Sequence, residues 1–327
     1  MGGLSLAARE LGMRVVAGVD TEPQALLTFE ENFGEASAIE GSVGAETVLE
    51  KCRKALRELR VANAPLVIVS GPPCQGFSAA GSRKANDKRN KVLLAVARAI
   101  KSLRPRCALV ENVDAVLAGK HASRLRDFRN HLREANYQVL NVVLSAKDYG
   151  VPQKRERAFF LVTPEQLDEA AVTARLAELK RAEMTVAACI GDLPDAPPRG
   201  DAYDDKTDSG GISNHLAMRH SAEVMAKIAA IPQGGGPMSY RKLHPDRPAN
   251  TLFSGHRAPP AHYLYPRSIT VREAARLQGF PDTFRVRGSF SNQMQQVTNA
   301  VPPPLAQAVL RVLLETCGIA MPCIHAR

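Results

Sequence analysis

Residues 64–78 read APLVIVSGPPCQGFS, an apolar run that stops at two prolines and a cysteine. Leu66 to Gly71 has the make-up of a buried strand, because aliphatic and β-branched residues fill it and turn residues close it. Pro72 and Pro73 cannot continue a ladder, so the chain must leave the sheet there. Cys74 is therefore expected at the carboxyl end of a strand, where open α/β sheets bind their ligands. Its place beside a forced exit from the sheet, with Gly76 after it, favours a reactive thiol over a packed one.

Working outward, the segment before this strand alternates helix and strand. LSLAAREL places Leu4, Leu6, Ala7 and Leu11 on one helical face, with Gly12 as a stop. Arg14 to Asp20 reads as a strand ending in a carboxylate, and EPQALLTFEENF as a helix with Pro23 in its first turn. Ala36 to Ser42 and Ala45 to Arg60 repeat the pattern. This is the order of a doubly wound sheet, except that it opens on a helix. Asp20, at a strand end after a Gly-rich turn, is placed to accept hydrogen bonds from ribose hydroxyls.

Beyond the cysteine, AAGSRKANDKRN is polar and cationic, as a loop closing over a polyanion would be. A helix from Lys91 to Leu103 leads into CALVENV, a strand with Glu111 and Asn112 at its end. Two neighbouring strand ends thus offer a thiol and a carboxylic acid to one crevice. Tyr137 to Ser145 and Arg157 to Val162 read as an antiparallel pair, and the period of two puts Arg155 and Arg157 on one face. Ala182 to Ser254 is rich in Gly, Pro and Asp, and His215, Arg219, His220, Arg241, Lys242, His256 and Arg257 stud this region and its edge. Such a set suits contacts to phosphates and base edges. Thr270 and Glu273 form a capping box for REAARLQ, and Pro303 to Glu315 reads as a buried last helix.

Composition sets the bounds. The 327 residues, 45% apolar and 23% charged, suffice for a sizeable core and about two lobes. Without an apolar run of membrane-spanning length or a basic-apolar-small leader pattern in these residues, neither membrane insertion nor secretion is expected. Six scattered cysteines without a CxxC pair argue against a disulfide framework or a zinc ribbon, and Cys317, Cys323 and His325 read as a tail, so no metal is expected. The net charge of +10 suggests a polyanionic partner.

With QKRER at 153–157 added, the ordered series GPPCQGFS, DKRN, ENV, QKRER, RPANTLFSG, REAARLQGFPD and TNAVPPPLA resembles the DNA (cytosine-5) methyltransferases of the bacterial restriction-modification type. The resemblance implies a class I S-adenosylmethionine-dependent methyltransferase sheet with a small target-recognition domain. Its expected boundaries are 1–181 for the catalytic domain, 182–284 for recognition and hinge, and 285–327 for a segment returning to the catalytic domain. It also implies methyl transfer to C5 of a flipped-out cytosine, with Cys74 as nucleophile, Glu111 as the acid on N3 and the amino group, and Arg157 holding O2 with Arg155 beside it. The cofactor is S-adenosyl-L-methionine. Its implied contacts are Gly2, Gly3, Asp20, Thr21, Ser42, Val43, Pro72, Asn299 and Val301, with Ser42 standing where the family carries an aspartate. DNA contacts are expected from Gln75, Ser78, Arg83, Lys84 and Arg89 after the nucleophile, and from Arg219, Arg241, Lys242 and Arg257 in the small lobe. The enzyme is expected to be a cytoplasmic, nucleoid-associated monomer acting on duplex DNA, with a cognate restriction endonuclease as a functional partner and no membrane association.

Two departures shape the alternatives. The Cys-Phe-Thr signature of the tRNA-modifying branch is absent from the recognition region, which disfavours tRNA as substrate. The family's first strand and its Phe-x-Gly-x-Gly turn would precede Gly2-Gly3. The strand lies inside the sheet, between those ending here at Asp20 and Gly71. The expectation is that the chain starts about 10 to 20 residues late, or that it is a DNA-binding relative with an incomplete cofactor pocket. Either way it should enter at a helix, with a slot beside Leu66 to Gly71.

Overall fold

The computed structural model describes residues 1–58, 64–73, 92–199, 208–209, 211–237, 240–253 and 259–321. The chain enters at helix α1 (Gly3–Glu10), followed by β1 (Ala17–Asp20), α2 (Pro23–Asn32), β2 (Ser37–Glu40), α3 (Glu46–Glu58) and β3 (Val67–Ser70). Next come α4 (Val92–Leu103), β4 (Cys107–Asn112), α5 (Ala122–Arg133), β5 (Gln138–Ser145), the short β6 (Gln153–Lys154) and β7 (Glu156–Thr163). Pro23 occupies the first turn of α2, where its missing amide hydrogen costs nothing.

Strand order in the main sheet is β3-β4-β7-β5, with β3 parallel to β4 and β7 antiparallel to both its neighbours. The period of two is visible in how β4 and β7 divide their side chains. Cys107, Leu109, Phe159 and Leu161 join a core built with α1 and the last helix, whereas Ala108, Val110, Ala158, Phe160 and Val162 join one built with α4 and α5. Both strands are buried on two faces, as the interior of an α/β sheet requires.

The remaining strands differ. β1 pairs in parallel with β2 in a separate two-stranded sheet, and among the described residues β3 pairs only with β4. Both β1 and β3 are half-buried along their whole length. Among the described residues, β1-β2 and β3-β4-β7-β5 are therefore separate sheets.

The second half holds α6 (Glu169–Glu178), α7 (Val186–Ile190), a hairpin of β8 (Asp208–Ser209) and β9 (Ile212–Ser213), α8 (Ala222–Ala230), β10 (Ala249–Asn250), α9 (Val271–Leu277), α10 (Phe290–Asn299) and α11 (Pro303–Thr316). The capping box is present, with Thr270 and Glu273 satisfying each other's backbone at the start of α9. α11 buries Leu305, Val309, Leu310 and Leu313 and packs against α1. α5, α6, α8 and α10 were not legible beforehand. α8 arises within the stretch read as Gly- and Pro-rich because Ser221 caps it, its hydroxyl accepting from Val224 N–H at 3.3 Å.

Candidate active site

β10 pairs in parallel with β6, placing Ala249 beside Gln153 and Asn250 beside Lys154. Thr251 Oγ1 donates to the Lys154 carbonyl at 2.6 Å, so the segment after β10 is anchored immediately before Arg155. From there β7 runs back beside β4 in a register that sets Glu111 opposite Phe159. Arg157 lies two residues before Phe159 and so becomes the diagonal, same-face neighbour of Glu111. Its Nε donates to Glu111 Oε1 at 2.9 Å, and both side chains are about nine-tenths buried.

Burial is the largest influence on Glu111 and pushes its carboxyl above the ordinary range. The charges of Arg157 and Arg155, with the hydrogen bond from Arg157, oppose that push without cancelling it. Arg155 is also buried, and its Nη2 donates to the Ala300 carbonyl at 3.2 Å. The three sequence-predicted residues Glu111, Arg155 and Arg157 are therefore brought together in one buried, polar cluster. A carboxyl held towards its neutral form can donate a hydrogen bond, which an ionised one cannot.

Glu111 also faces the end of β3. A side chain on Gly71 would meet Glu111 Oε2 at 3.4 Å and Leu4 and Val301 at 3.7 Å. A side chain on Gly3 would lie 2.3 Å from the Val301 carbonyl, so the start of α1 packs backbone to backbone against the turn after α10. Asp20, at the end of β1, uses Oδ1 to accept the Glu22 N–H at 3.1 Å, and its charge reaches the amino group of Met1. A side chain on Gly2 would lie 2.7 Å from the Phe33 ring, so Gly2 and Gly3 both serve close packing within the protein. Asp20 is half-buried at the end of its strand, a position that suits hydrogen bonds to ribose hydroxyls. Thr21, Ser42 and Asn299 are exposed, Val43 is half-buried, and Pro72 is buried.

Asn112 escaped the sequence reading as a site residue. It is buried, donates from Nδ2 to the Pro72 carbonyl at 3.4 Å, and accepts the Val113 N–H at 2.9 Å. It thereby ties the end of β4 to the Pro-Pro exit from β3. Cys74, Gln75, Ser78, Arg83, Lys84, Arg89 and Arg257 lie outside the described residues.

Two of the side chains read as DNA contacts turn inward. Lys242 is buried, and its ammonium donates to the carbonyls of Ile228 and Ala229 at 3.5 Å, capping the end of α8. The capped helix end holds this charge away from solvent, which corrects the expectation that Lys242 meets phosphate. His215 is wholly buried between Thr270 Oγ1 at 3.0 Å and the Pro194 carbonyl at 2.9 Å. Arg219 and Arg241 are exposed.

The same fold and sequence pattern occur in known proteins. The chain is 32% identical to the Type II methyltransferase M.XorII of Xanthomonas oryzae pv. oryzae, over 94% of this chain and 81% of that one. It is also 32% identical to the Type II methyltransferase M1.HphI of Haemophilus parahaemolyticus, over 96% and 84%. Among solved structures, one from E. coli, described as a DNA modification methyltransferase encoded within a prophage, superposes with a TM-score of 0.79 at 26% identity, covering 97% of each chain. Dnmt2 methyltransferase from S. pombe shares the fold, with a TM-score of 0.64 at 17% identity over 96% and 95%. Residues 1–315 match the family described as C-5 cytosine-specific DNA methylase, and the chain belongs to that family.

Proposed function

We propose that this DNA (cytosine-5) methyltransferase acts on a flipped-out cytosine within a specific duplex sequence, through a covalent bond between Cys74 and C6. The observation that carries the reading is the buried Glu111–Arg157 pair, with Arg155 beside it, facing the end of the strand that leads into Pro72-Pro73-Cys74. C5 of cytosine is a weak nucleophile, and adding a thiolate at C6 moves electron density onto it. A protonated Glu111 supports that addition by hydrogen bonding at N3. Arg157 holds the O2 side, and Arg155 ties the start of β7 to the Ala300 carbonyl. S-adenosylmethionine, when bound beside Gly3, Asp20 and Val301, supplies the methyl group. Loss of the C5 proton and departure of the Cys74 thiolate then restore the aromatic ring. The reacting atoms are stacked inside a duplex, so the base must leave the helix first.

Residues 1–181 form the catalytic domain in this reading, 182–284 the recognition domain and hinge, and 285–327 the returning segment. The exposed Arg219 and Arg241 serve as phosphate contacts. The enzyme works as a monomer in the cytoplasm, alongside a restriction endonuclease of matching sequence; among the described residues no helix is long and apolar enough to cross a membrane. The test is transfer of labelled methyl groups from S-adenosylmethionine to unmethylated duplex DNA, followed by nucleoside analysis. Label in 5-methyldeoxycytidine supports the proposal; label in N4-methyldeoxycytidine, or transfer to tRNA alone, contradicts it.

A further inference from the structure

Gln153 and Gln278 are both wholly buried and lie end to end. Gln278 Nε2 faces two carbonyls, donating to Val297 at 3.1 Å and to Ala300 at 2.7 Å. Its Oε1 must then be the acceptor that faces Gln153 Nε2, which also donates to the Leu277 carbonyl at 3.2 Å. Gln153 Oε1 is left to accept the Leu252 N–H at 3.1 Å. Each amide proton of the two side chains has a partner, and no other orientation of either amide satisfies all of these groups. The relay joins four segments: β6 before Arg155, the residues just after β10, the end of α9, and the turn after α10. The Ala300 carbonyl accepts from Gln278 and from Arg155 Nη2 together. One residue on, Val301 presses its carbonyl on Gly3 and its side chain towards Gly71.

We propose that Gln278 is a positioning residue for methyl transfer: through the Ala300 carbonyl it sets Arg155 and the cofactor-side turn against each other, so that the base side and the methyl-donor side of the site are aligned by one amide. Neither Gln278 nor Gln153 faces the crevice, and Gln278 acts only through Arg155 and Val301. The inference rests on the methyltransferase reading above. Glutamine suits the task because a neutral amide both donates and accepts, whereas Gln278→Glu would aim a carboxylate at two carbonyls and Gln278→Met would drop all three bonds at nearly constant volume.

The test compares wild type, Gln278→Met and Gln278→Glu, using unmethylated PCR-amplified duplex DNA and labelled S-adenosylmethionine. In Gln278→Met, kcat should fall roughly 10- to 100-fold, as expected for a small misplacement of reacting groups. KM for S-adenosylmethionine should rise while the dissociation constant for duplex DNA stays within about threefold, since phosphate contacts dominate it. A purely structural role would lower the melting temperature without this split. A folded Gln278→Met with kcat and KM both within twofold of wild type overturns the inference. If neither variant folds, hydrogen exchange on the wild type decides: adding duplex DNA without cofactor should slow exchange at 297–301, and unchanged exchange there overturns the proposal. A wild type that makes no 5-methyldeoxycytidine would instead count against the functional reading itself.

Discussion

At the scale of single residues, Glu111 carries the sharpest expectation. Burial raises its pKa above the ordinary 4.5, so the proton is bound more tightly in the folded protein than in the unfolded chain. Its contribution to stability is therefore complete below that ordinary value and is lost as pH rises through the raised one. The same sign governs catalysis: if the neutral acid is the working form, the single-turnover rate should fall on the alkaline side of the raised pKa. Glu111→Gln should lower turnover about 100-fold or more and abolish that limb, while DNA affinity changes little. An unchanged pH profile in the variant would separate Glu111 from the chemistry. Arg241→Ala, by contrast, should weaken DNA binding and shallow its salt dependence by about one unit of slope, read from binding isotherms at several salt concentrations. The residues with chemistry at strand ends were legible in the sequence because period and punctuation place them. Lys242 and His215 were not, because a cation or imidazole near Gly and Pro looks solvated until the helix end or the carbonyl that takes its proton is known.

At the scale of elements, the start of α9 depends on one buried carboxylate. Burial favours protonating Glu273, but the bidentate partner Arg267 at 2.8 and 3.0 Å and the Thr270 N–H hold it below its ordinary range. His262 is pushed down to about 4, chiefly by burial. It stays neutral at physiological pH and accepts the Leu264 N–H at 3.0 Å and the Tyr265 N–H at 3.2 Å. Removing Arg267 would strand a buried charge, so Arg267→Ala should cost about 3 to 5 kcal/mol in denaturant unfolding. Because the Glu273 pKa is depressed, its stabilisation is present above the ordinary carboxylate value and is lost as pH falls through the lower one. A loss below 1 kcal/mol would show the network to be dispensable. Gly3→Ala poses two effects against each other: alanine favours a helix by up to about 1 kcal/mol, but its methyl would lie 2.3 Å from the Val301 carbonyl. The contact should win, lowering the melting temperature; a rise would mean that the turn yields freely. The capping box and α11 could be read from spacing alone, whereas α5 and α10 could not, since their polar composition hides the single buried stripe that defines them.

At the scale of the whole molecule, β4 and most of β7 are buried while β1 and β3 are half-buried, and β1 and β3 belong to separate sheets. Amide exchange should follow that division, faster in Ala17–Asp20 and Val67–Ser70 than in Cys107–Asn112 and Glu156–Thr163. Equal protection in all four strands would contradict it. The order of helices and strands from α1 to β4 was legible because each strand there stops at a turn residue or a polar end. The relay through Gln153 and Gln278 was not, because it joins positions 125 residues apart whose only common feature is burial. What unites the residue and element scales is the proposed covalent step at Cys74, in which Glu111 and Arg157 would hold the base. The most direct measurement is therefore trapping with S-adenosylmethionine and mixed-sequence duplex DNA containing 5-fluorocytosine, whose fluorine blocks the final elimination. The account predicts a stable protein–DNA adduct that maps by mass spectrometry to Cys74 and disappears in Cys74→Ala. The same adduct formed by Cys74→Ala, or a wild type that methylates DNA yet leaves no adduct, would contradict it.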